Sequence, residues 1–339
     1  MLETKVKQKA LELGFASCGI IPATVFEDYK RHLDERIRAF PQSKKLYDPM
    51  FAYADPPESA KSVIVCLQRH NKYKVPDSLK GLVGKMYLFD DRVPFSHENR
   101  AKKEFETYLK TCGINILKCA VPDRWAAAKA GIGKFGRNNF IYSPEHGSYV
   151  CIDAWVVDKE LKHDPAPQDI HLSECCDSCQ KCIRACPTAA FAGGFSMDMG
   201  RCVARLTFNA EDTLDEATRS QMGRWVYGCD VCQDVCPANK GKLGENNDFP
   251  LLSQFEEYLQ PENLLTMDEE TFANIVHPRF WYGGNAKETL WRWKSNTLRS
   301  MVNSGKAEYH RLVKDCLDHK DERLRELARW GCDRLQLVQ

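Results

Sequence analysis

The cysteines between Cys176 and Cys236 are the residues whose types and spacing most clearly indicate chemistry. The run Cys176-x2-Cys179-x2-Cys182-x3-Cys186-Pro187 is a pattern that holds [4Fe–4S] clusters, with its fourth cysteine ligating a second cluster. The reciprocal half is Cys202 followed by Cys229-x2-Cys232-x3-Cys236-Pro237. This crosswise spacing predicts two clusters, one held by Cys176, Cys179, Cys182 and Cys236 and the other by Cys186, Cys202, Cys229 and Cys232.

A zinc site is the competing interpretation, because paired Cys-x2-Cys motifs also build four-cysteine zinc sites. The two Cys-Pro endings and the total of eight ligands favour iron–sulfur clusters. Cys175 offers a one-residue alternative to Cys176, and the spacing favours Cys176. A minimal two-cluster protein lacks the long insertion between Cys202 and Cys229. Such clusters transfer electrons and rarely make bonds themselves, so the reaction centre should lie elsewhere.

A glycine-rich loop, residues 131–138, is the candidate for that centre. Gly131-x-Gly133-x-x-Gly136 matches the dinucleotide-binding pattern, but that pattern follows a strand and opens a helix. Here a helix is predicted before the loop and a strand after it. Glycines allow a backbone to approach a ligand closely, so the loop is expected to cradle a large cofactor. The segment Asp169-x-His171-x-x-Glu174 resembles a cobalt-coordinating motif without its glycine, and His171 is interpreted as a surface residue before a cluster loop.

The composition is that of an ordinary globular protein apart from its cysteines. The chain has 339 residues, 43% hydrophobic and 28% charged, with a net charge of +1, so no overall field draws it to nucleic acid or membrane. The N-terminus lacks an apolar core of signal-peptide length, and no stretch approaches the roughly 20 apolar residues that span a bilayer. We therefore expect a cytoplasmic protein with no membrane partner. Its clustered cysteines are then more consistent with metal ligands than with disulfides, and the seven scattered ones are interpreted as small buried hydrophobic residues.

Periodicity and helix breakers divide the chain into three predicted domains. In residues 1–163, helices over 1–14, 24–40, 97–111 and 124–130 alternate with strands over 15–21, 62–67, 114–117, 139–142 and 149–157, which predicts an α/β domain. The last two strands are expected to form a hairpin. After an Asp164-Pro165-Ala166-Pro167 linker, residues 164–247 form a ferredoxin-like two-cluster domain. Residues 248–339 are predicted to be helical, and 307–337 resembles one HEAT-like repeat that should pack on residues 278–303.

Several longer motifs together resemble one enzyme family. They are the segment DRWAAAKAGIGKFGRN from Asp123 to Asn138, the turn Gly147-Ser148-Tyr149, the run CIRACPT, the pair Arg201-Cys202, the triplet Met222-Gly223-Arg224, and YGCDVCQ from Tyr227 to Gln233. On these residues the chain resembles epoxyqueuosine reductase, a family related to the reductive dehalogenases, over nearly its whole length.

The resemblance implies a cobalamin bound base-off against the α/β domain, with no protein histidine on its cobalt. The clusters would pass electrons from an external low-potential donor to the cobalt. In the family, the substrate is an epoxide in a tRNA anticodon, and its reduction yields the alkene of queuosine. The resemblance also implies that the corrin is lined by Gly131, Gly133, Lys134, Phe135, Gly136, Arg137, Asn138, Ser148 and Tyr149.

The chain departs from the family at the position of its acid. Alignment on the shared motif places Leu117 where the family has a proton-donating Asp, and Asp123 where it has Glu. A leucine cannot donate a proton, which leaves Asp123, Tyr142, Tyr149 and Lys134 as candidate catalytic residues. Each also has a structural interpretation: Asp123 as a helix cap, the two tyrosines as core residues of strands, and Lys134 as a contact to a corrin amide or an anionic substrate.

Three functions are open at this level. The first is a cobalamin-dependent reductase with a different, small-molecule substrate. The second is an epoxyqueuosine reductase that acts on tRNA. The third is a non-catalytic electron-transfer protein that reduces a partner's corrinoid. The sequence does not specify the electron donor or the oligomeric state.

The stretch 279–299 bears on the tRNA hypothesis because it interleaves cations with aromatic rings, as RNA-binding surfaces do. Its cations are Arg279, Lys287, Arg292, Lys294 and Arg299, and its rings include Trp281, Tyr282, Trp291 and Trp293. The favoured interpretation is an amphipathic helix that packs its tryptophans inward and leaves its charges in solvent.

Overall fold

A computed structural model describes residues 1–89, 93, 96–172, 176–193, 195–209, 214–245, 249, 252–280 and 285–337. Its helices are α1 (Leu2–Glu12), α2 (Glu27–Ala39), α3 (Lys44–Tyr47), α4 (Lys85–Leu88), α5 (His97–Thr111), α6 (Asp123–Lys129), α7 (Lys181–Ala185), α8 (Val203–Asn209), α9 (Glu216–Gln221), α10 (Val231–Asp234), α11 (Leu252–Tyr258), α12 (Pro261–Thr266), α13 (Glu269–Thr271), α14 (Ala286–Ser304), α15 (His310–Asp315) and α16 (Glu322–Leu335). Its strands are β1 (Ser17–Pro22), β2 (Ser62–Arg69), β3 (Lys134–Phe135), β4 (Ile141–Tyr142), β5 (Val150–Val157), β6 (Phe191–Gly193) and β7 (Ser196–Met197). None of the helices in these ranges is both long and apolar enough to cross a membrane.

The N-terminal part of the chain is built on a three-stranded antiparallel sheet of order β1–β2–β5. Because successive strand side chains point to opposite faces, the sheet buries apolar residues on both sides. One face packs on α1 and α5, with Phe105 at its centre. The other face packs on α2 and α6 through Leu33 and the alanines 126–128. The predicted α/β domain is therefore an antiparallel sheet between two helical layers.

Two strand predictions are wrong. The expected strand over 114–117 is reduced to one bridge between Ile116 and Val157. The expected hairpin of residues 139–142 with 149–157 does not form, because β4 pairs with β3 whereas β5 pairs with β2 over its full length. The turn between β4 and β5 suits a hairpin locally, but β5 is largely buried and gains more from pairing with the central strand of the main sheet.

The segment predicted as a linker is held against the sheet by hydrogen bonds. The Asp164 backbone N–H donates to the Ile20 carbonyl at 2.8 Å, and the Asp164 carboxylate accepts from the Ile20 N–H at 2.8 Å. Further along, the Phe135 N–H donates to the Ile170 carbonyl at 2.7 Å. These bonds cover the outer edge of β1 and extend the small β3–β4 pair, so that the chain enters the cysteine-rich region in a defined position.

The C-terminal helices pack as predicted. Apolar side chains of α14, including Leu298 and Val302, meet those of α16, including Leu324 and Ala328, in one buried cluster. Gly331 permits this close approach, since a Cβ at that position would lie 2.6 Å from Val302 Cγ2. A second core combines residues 73–93, 208–227 and 249–293, and so crosses the predicted limits at 163/164 and 247/248. The three-domain division stays a prediction.

The prediction of solvated charges along 279–299 is wrong for its arginines. Arg279 and Arg299 are buried, and Arg299 donates to the carbonyls of Gly223, at 2.9 Å, and Trp225. Arg292 donates to the Phe208 carbonyl at 2.7 Å. The inward position of Trp293 is confirmed, whereas the predicted roles of Trp281, Tyr282 and the Lys287 side chain fall outside the described residues. A guanidinium with several donors can satisfy carbonyls at helix ends, which the periodicity of charges does not reveal.

Candidate functional site

Short local elements set the direction of each thiol in the cluster segment, residues 176–236. Cys182 lies on α7, and Cys186 ends that helix with extended backbone, φ −64° and ψ 114°. Cys236 is extended in the same way before Pro237, with φ −76° and ψ 123°. The residue before a proline avoids helical geometry, so each Cys-Pro step leads the chain away from the preceding three cysteines.

The fold brings the predicted ligands of the first cluster together. Burial, and then the neighbouring thiols of Cys236, Cys176 and Cys179, raise the pKa of the Cys182 thiol to about 11. The described cysteines are free thiols rather than disulfides. Four converging thiols are the donor set that a [4Fe–4S] cluster requires.

The predicted ligands of the second cluster also converge. Burial raises the pKa of the Cys229 thiol, and the thiols of Cys202 and Cys186 add to that effect. The Ala190 backbone N–H donates to Cys186 Sγ at 3.3 Å, and N–H bonds of this kind tune the potential of iron–sulfur clusters. Cys232 lies near Cys182 of the first set as well as near Cys202 and Cys229. The two sets are therefore neighbours, as an electron path requires, while the assignment of individual ligands stays a prediction.

The glycine loop is bonded directly to the cluster segment. Asn138 Nδ2 donates to the Tyr142 hydroxyl at 2.8 Å and to the Cys232 carbonyl at 3.1 Å. Arg137 donates to the Asp177 carbonyl at 2.9 Å. Burial, and then the thiol of Cys236, raise the pKa of Tyr142. Asn138 and Tyr142 are both buried, so they join the loop to the cluster segment.

A second buried network holds the turn after β4 to the same segment. The Ser148 N–H donates to Asn239 Oδ1 at 2.9 Å, and the Ser148 hydroxyl donates to Gln233 Oε1 at 2.8 Å. Asn239 Nδ2 donates to Ser148 Oγ and to the Gln233 carbonyl, each at 2.9 Å. Gly147 approaches so closely that a Cβ there would lie 2.2 Å from Asn239 Oδ1. Ser148, predicted to line a corrin, thus contacts the cluster segment in the protein interior.

Each of the three glycines in the loop is required by a different feature of the structure. Gly131 adopts φ +70° and faces open space, a conformation and a position that suit contact with a ligand. Gly133 and Gly136 instead pack on β4, because a Cβ would lie 2.3 Å from Ile141 Cγ2 in one case and 2.4 Å from Tyr142 Cε2 in the other. The helix α6 precedes the loop and β3 follows it, which confirms that the dinucleotide-binding context is absent from this part of the chain.

The candidate acids differ in access to solvent. Asp123 is exposed, yet protein surrounds it closely enough that desolvation raises the pKa of its carboxyl to about 6. It is the first residue of α6 and makes no capping hydrogen bond, so its interpretation as a helix cap is wrong. Tyr149 is buried, and burial raises its pKa to about 12. Lys134 is partly exposed on β3, beside the open side of the loop.

One charged cluster beside the cysteines was not anticipated from the sequence. The Lys85 ammonium lies 3.3 Å from Asp230 Oδ2 and 2.5 Å from Asp234 Oδ1, and the Lys85 N–H also donates to Asp230 at 2.8 Å. Burial would lower the pKa of Lys85, but the two carboxylates raise it. Asp230 stands between Cys229 and Cys232, which is the only sequence signal of this cluster; Lys85 is distant in sequence and carries none.

The chemistry of the donor set fits iron–sulfur clusters, since thiols within each predicted set raise one another's pKa and backbone N–H groups meet their sulfurs. A corrin would fit only the outer side of the loop, where Gly131, Ile132, Lys134 and Arg137 retain exposure. Phe135, Gly136, Asn138, Ser148 and Tyr149 are buried in protein contacts. The accessible part of the predicted corrin lining is therefore smaller than the motif indicated.

Comparison with known proteins extends these observations. Residues 175–239 match the family model described as a 4Fe-4S double cluster binding domain, which confirms the prediction of two [4Fe–4S] clusters. The chain is similar to the epoxyqueuosine reductase of Leadbetterella byssophila, with 29% identity over 275 residues that cover 78% of this chain and 86% of that protein.

Solved structures show the same fold. A structure of epoxyqueuosine reductase from Bacillus subtilis, with its catalytic aspartate loop swung out of the active site, has a TM-score of 0.78 at 24% identity and covers 98% of this chain and 90% of that chain. An epoxyqueuosine reductase with an epoxyqueuosine-modified tRNA-Tyr stem loop has a TM-score of 0.75 at 22% identity, with the same coverage.

Proposed function

We propose that this chain, a relative of the epoxyqueuosine reductases, is a cobalamin-dependent iron–sulfur reductase. The observation that carries the proposal is the direct bonding of the glycine loop to the cluster segment. Asn138 donates to the carbonyl of Cys232, and Tyr142 on β4, to which Asn138 also donates, lies beside Cys236, so the loop and β4 together reach both predicted ligand sets. A cofactor seated on the outer side of that loop would receive electrons over a short distance.

Bound cobalamin would supply a strongly reducing, nucleophilic metal centre. The residues of the chain would position it. Gly131 and Ile132 offer backbone and apolar surface to a corrin face, and Lys134 offers a donor to an amide side chain at its edge. The buried contacts of Asn138 and Ser148 keep this surface rigid relative to the cysteines.

On the substrate, we propose that it differs from epoxyqueuosine because Leu117 occupies the predicted position of the family acid. The Leu117 N–H donates to the Val156 carbonyl at 2.8 Å, and the side chain packs against the sheet core. An apolar side chain held there cannot protonate a substrate. Asp123 is the strongest remaining donor, since a carboxyl whose pKa is about 6 is partly protonated near neutral pH and this one is accessible.

The second candidate is a tRNA-acting epoxyqueuosine reductase, favoured by the similar fold of the enzyme that holds a modified tRNA stem loop. In that case Asp123 would take over the role that the resemblance assigns to the Leu117 position. Among the described residues of α14, Arg292 and Arg299 are bonded to backbone carbonyls, so these two guanidinium groups are engaged within the protein rather than presented to RNA.

The test is anaerobic reconstitution with iron, sulfide and cobalamin, followed by a visible-absorption binding titration and an epoxyqueuosine-tRNA turnover assay. Cobalamin binding without tRNA turnover supports a different substrate, and no cobalamin binding overturns the reductase proposal. Leu117→Asp should then create tRNA turnover, whereas the matched Leu117→Asn should not. Wild-type turnover that Asp123→Asn abolishes would establish the second candidate. Electron delivery to a corrinoid protein, without turnover, would instead indicate an electron-transfer partner.

A further inference from the structure

Two arginines lie where α2 and α6 pack together, and neither has an acidic partner among the described residues. Arg36, on α2, is 6% exposed, and within the described residues its Nε has no hydrogen-bond partner. Arg124, on α6, is exposed and donates to the Asn139 carbonyl at 2.7 Å. Neither guanidinium takes part in an ion pair within the part of the chain that the structure describes. A buried charge without a partner costs several kcal/mol, and a bound anion would offset that cost.

The surroundings of this pair are cationic and aromatic. Burial, and to a lesser extent the charge of Arg124, lower the pKa of Arg36 to about 10. Burial, and then Arg36, His171 and Arg124, lower the pKa of His32 to about 3, so its imidazole is neutral at pH 7 and offers an N–H donor. The exposed Glu35 carboxylate lies 3.9 Å from His32 Nδ1. The Trp125 ring lies 5.7 Å from His32 and 5.9 Å from Tyr29, and these rings form the wall beside the cations.

We propose that Arg36 and Arg124 form a binding site for a phosphate or phosphodiester group, with Arg36 as its floor and Arg124 as its rim. Two guanidinium forks on separate helices present several N–H donors to one tetrahedral anion, a geometry that a single carboxylate would not fill. The Asp123 carboxylate, which feels the charge of Arg124, is exposed and makes no ion pair with Arg124 among the described residues. An anion would supply the missing counter-charge.

The location of the two arginines indicates which ligands could reach them. Arg124 is the second residue of α6, which leads into the glycine loop, and its charge also acts on the Cys202 thiol. A phosphodiester bound here would thus lie near both the proposed cofactor surface and the second ligand set. Two sources have this chemistry: the nucleotide tail of a cobalamin and the backbone of an RNA.

The first experiment titrates the purified chain with inorganic phosphate by calorimetry, in a buffer free of other oxyanions. We expect saturable one-to-one binding that Arg36→Gln and Arg124→Gln each weaken about tenfold or more, the effect of losing a charge-assisted hydrogen bond. The matched control is Arg38→Gln, which removes an exposed arginine from the same helix and should leave binding unchanged. Unsaturable binding, or equal affinity in all variants, overturns the proposal.

A structural role for Arg36 predicts a different result. If it only supports the fold, Arg36→Gln should lower the melting temperature in phosphate-free buffer and leave phosphate affinity unchanged. If it serves a ligand, the variant should be as stable as the wild type or more so, and should lose the stabilisation that phosphate confers. If Arg36→Gln fails to fold, Arg124→Gln provides the test by itself, because the Arg124 side chain is exposed and its replacement should not disturb the core.

Competition distinguishes the two sources. Displacement of phosphate by cobalamin but not by cobinamide, which lacks the nucleotide tail, assigns the site to the cofactor. Displacement by an RNA anticodon stem loop alone assigns it to RNA. Displacement by none of them overturns the phosphodiester assignment. The phosphate titration needs neither cobalamin nor turnover, so its failure is separable from a failure of the proposed function.

Discussion

The contact between Gly147 and Asn239 should be one of the most sensitive points of the fold. Gly147 has φ +60°, and a Cβ there would lie 2.2 Å from Asn239 Oδ1 and 3.2 Å from the Ala238 carbonyl. Gly147→Ala therefore imposes two costs. The left-handed backbone costs about 1–2 kcal/mol for a residue with a Cβ. Displacement of Asn239 from its three buried hydrogen bonds, to Ser148 and Gln233, costs about 1 kcal/mol for each bond.

The expected loss in unfolding free energy is therefore about 4–5 kcal/mol. Gly241→Ala is the matched control, because Gly241 has φ +71° and a Cβ there would meet nothing within 4 Å. That variant should lose only the backbone cost, about 1–2 kcal/mol. Urea unfolding of the anaerobically reconstituted protein, followed by circular dichroism, measures both values.

The cluster provides a second readout of the same change. Asn239 follows Cys236 and Pro237 in one short turn, so its displacement should loosen the Cys236 thiol. Gly147→Ala should then lose iron to a chelator faster than the wild type, while Gly241→Ala should not. Equal destabilisation of the two variants would refute the reasoning, since backbone strain alone would then account for both.

Three further predictions concern the site and its supports. Cys202→Ala and Cys236→Ala should each remove one cluster and leave about half the iron per chain, whereas loss of all the iron in one variant would contradict two separable ligand sets. The folded-state pKa of Asp123 lies above its unfolded value of 3.8, so this carboxyl favours folding below pH 3.8 and loses that contribution as pH rises through about 6. Asp123→Asn should thus raise stability at pH 8 by less than about 1 kcal/mol, since solvent reaches the group, and the gain should vanish at pH 4 in denaturant titrations. Arg299→Ala should cost about 3–5 kcal/mol by leaving buried carbonyls unpaired, against almost nothing for the exposed Arg311→Ala, and RNA affinity should be unchanged in both; weakened RNA binding by Arg299→Ala would contradict its structural role.

Features that depend on near neighbours were predictable from the sequence. The helix over 97–111 begins where Ser96 accepts from the Asn99 N–H, and its apolar Phe105 and Leu109 lie one turn apart. Such caps and periodicities depend on residues that are close in the chain, so they can be recognised in the sequence. The cysteine spacings are local in the same sense, because a cluster can be wrapped by a short loop.

Features that depend on residues far apart in the chain were not predictable from the sequence. β4 pairs with β3 rather than β5 because β5 pairs with β2, the central strand of the main sheet. The residues of the turn do not indicate which of the two pairings is more stable. Arg292 and Arg299 face inward because backbone carbonyls of the cluster segment lie next to α14 and accept their hydrogen bonds. A pattern of alternating charges is the same whether its partners are water or backbone.

The sequence by itself determined the two iron–sulfur clusters, the helical C-terminus and the place of the glycine loop, because each rests on residue types at short, regular separations. Only the tertiary structure decided what surrounds them. It placed Asn138 and Ser148 against the cluster segment, and it left Arg36 buried with no acidic partner in the part of the chain that the structure describes. Burial and counter-charge are properties of packing between segments far apart in the chain, and they are settled only when the whole core forms.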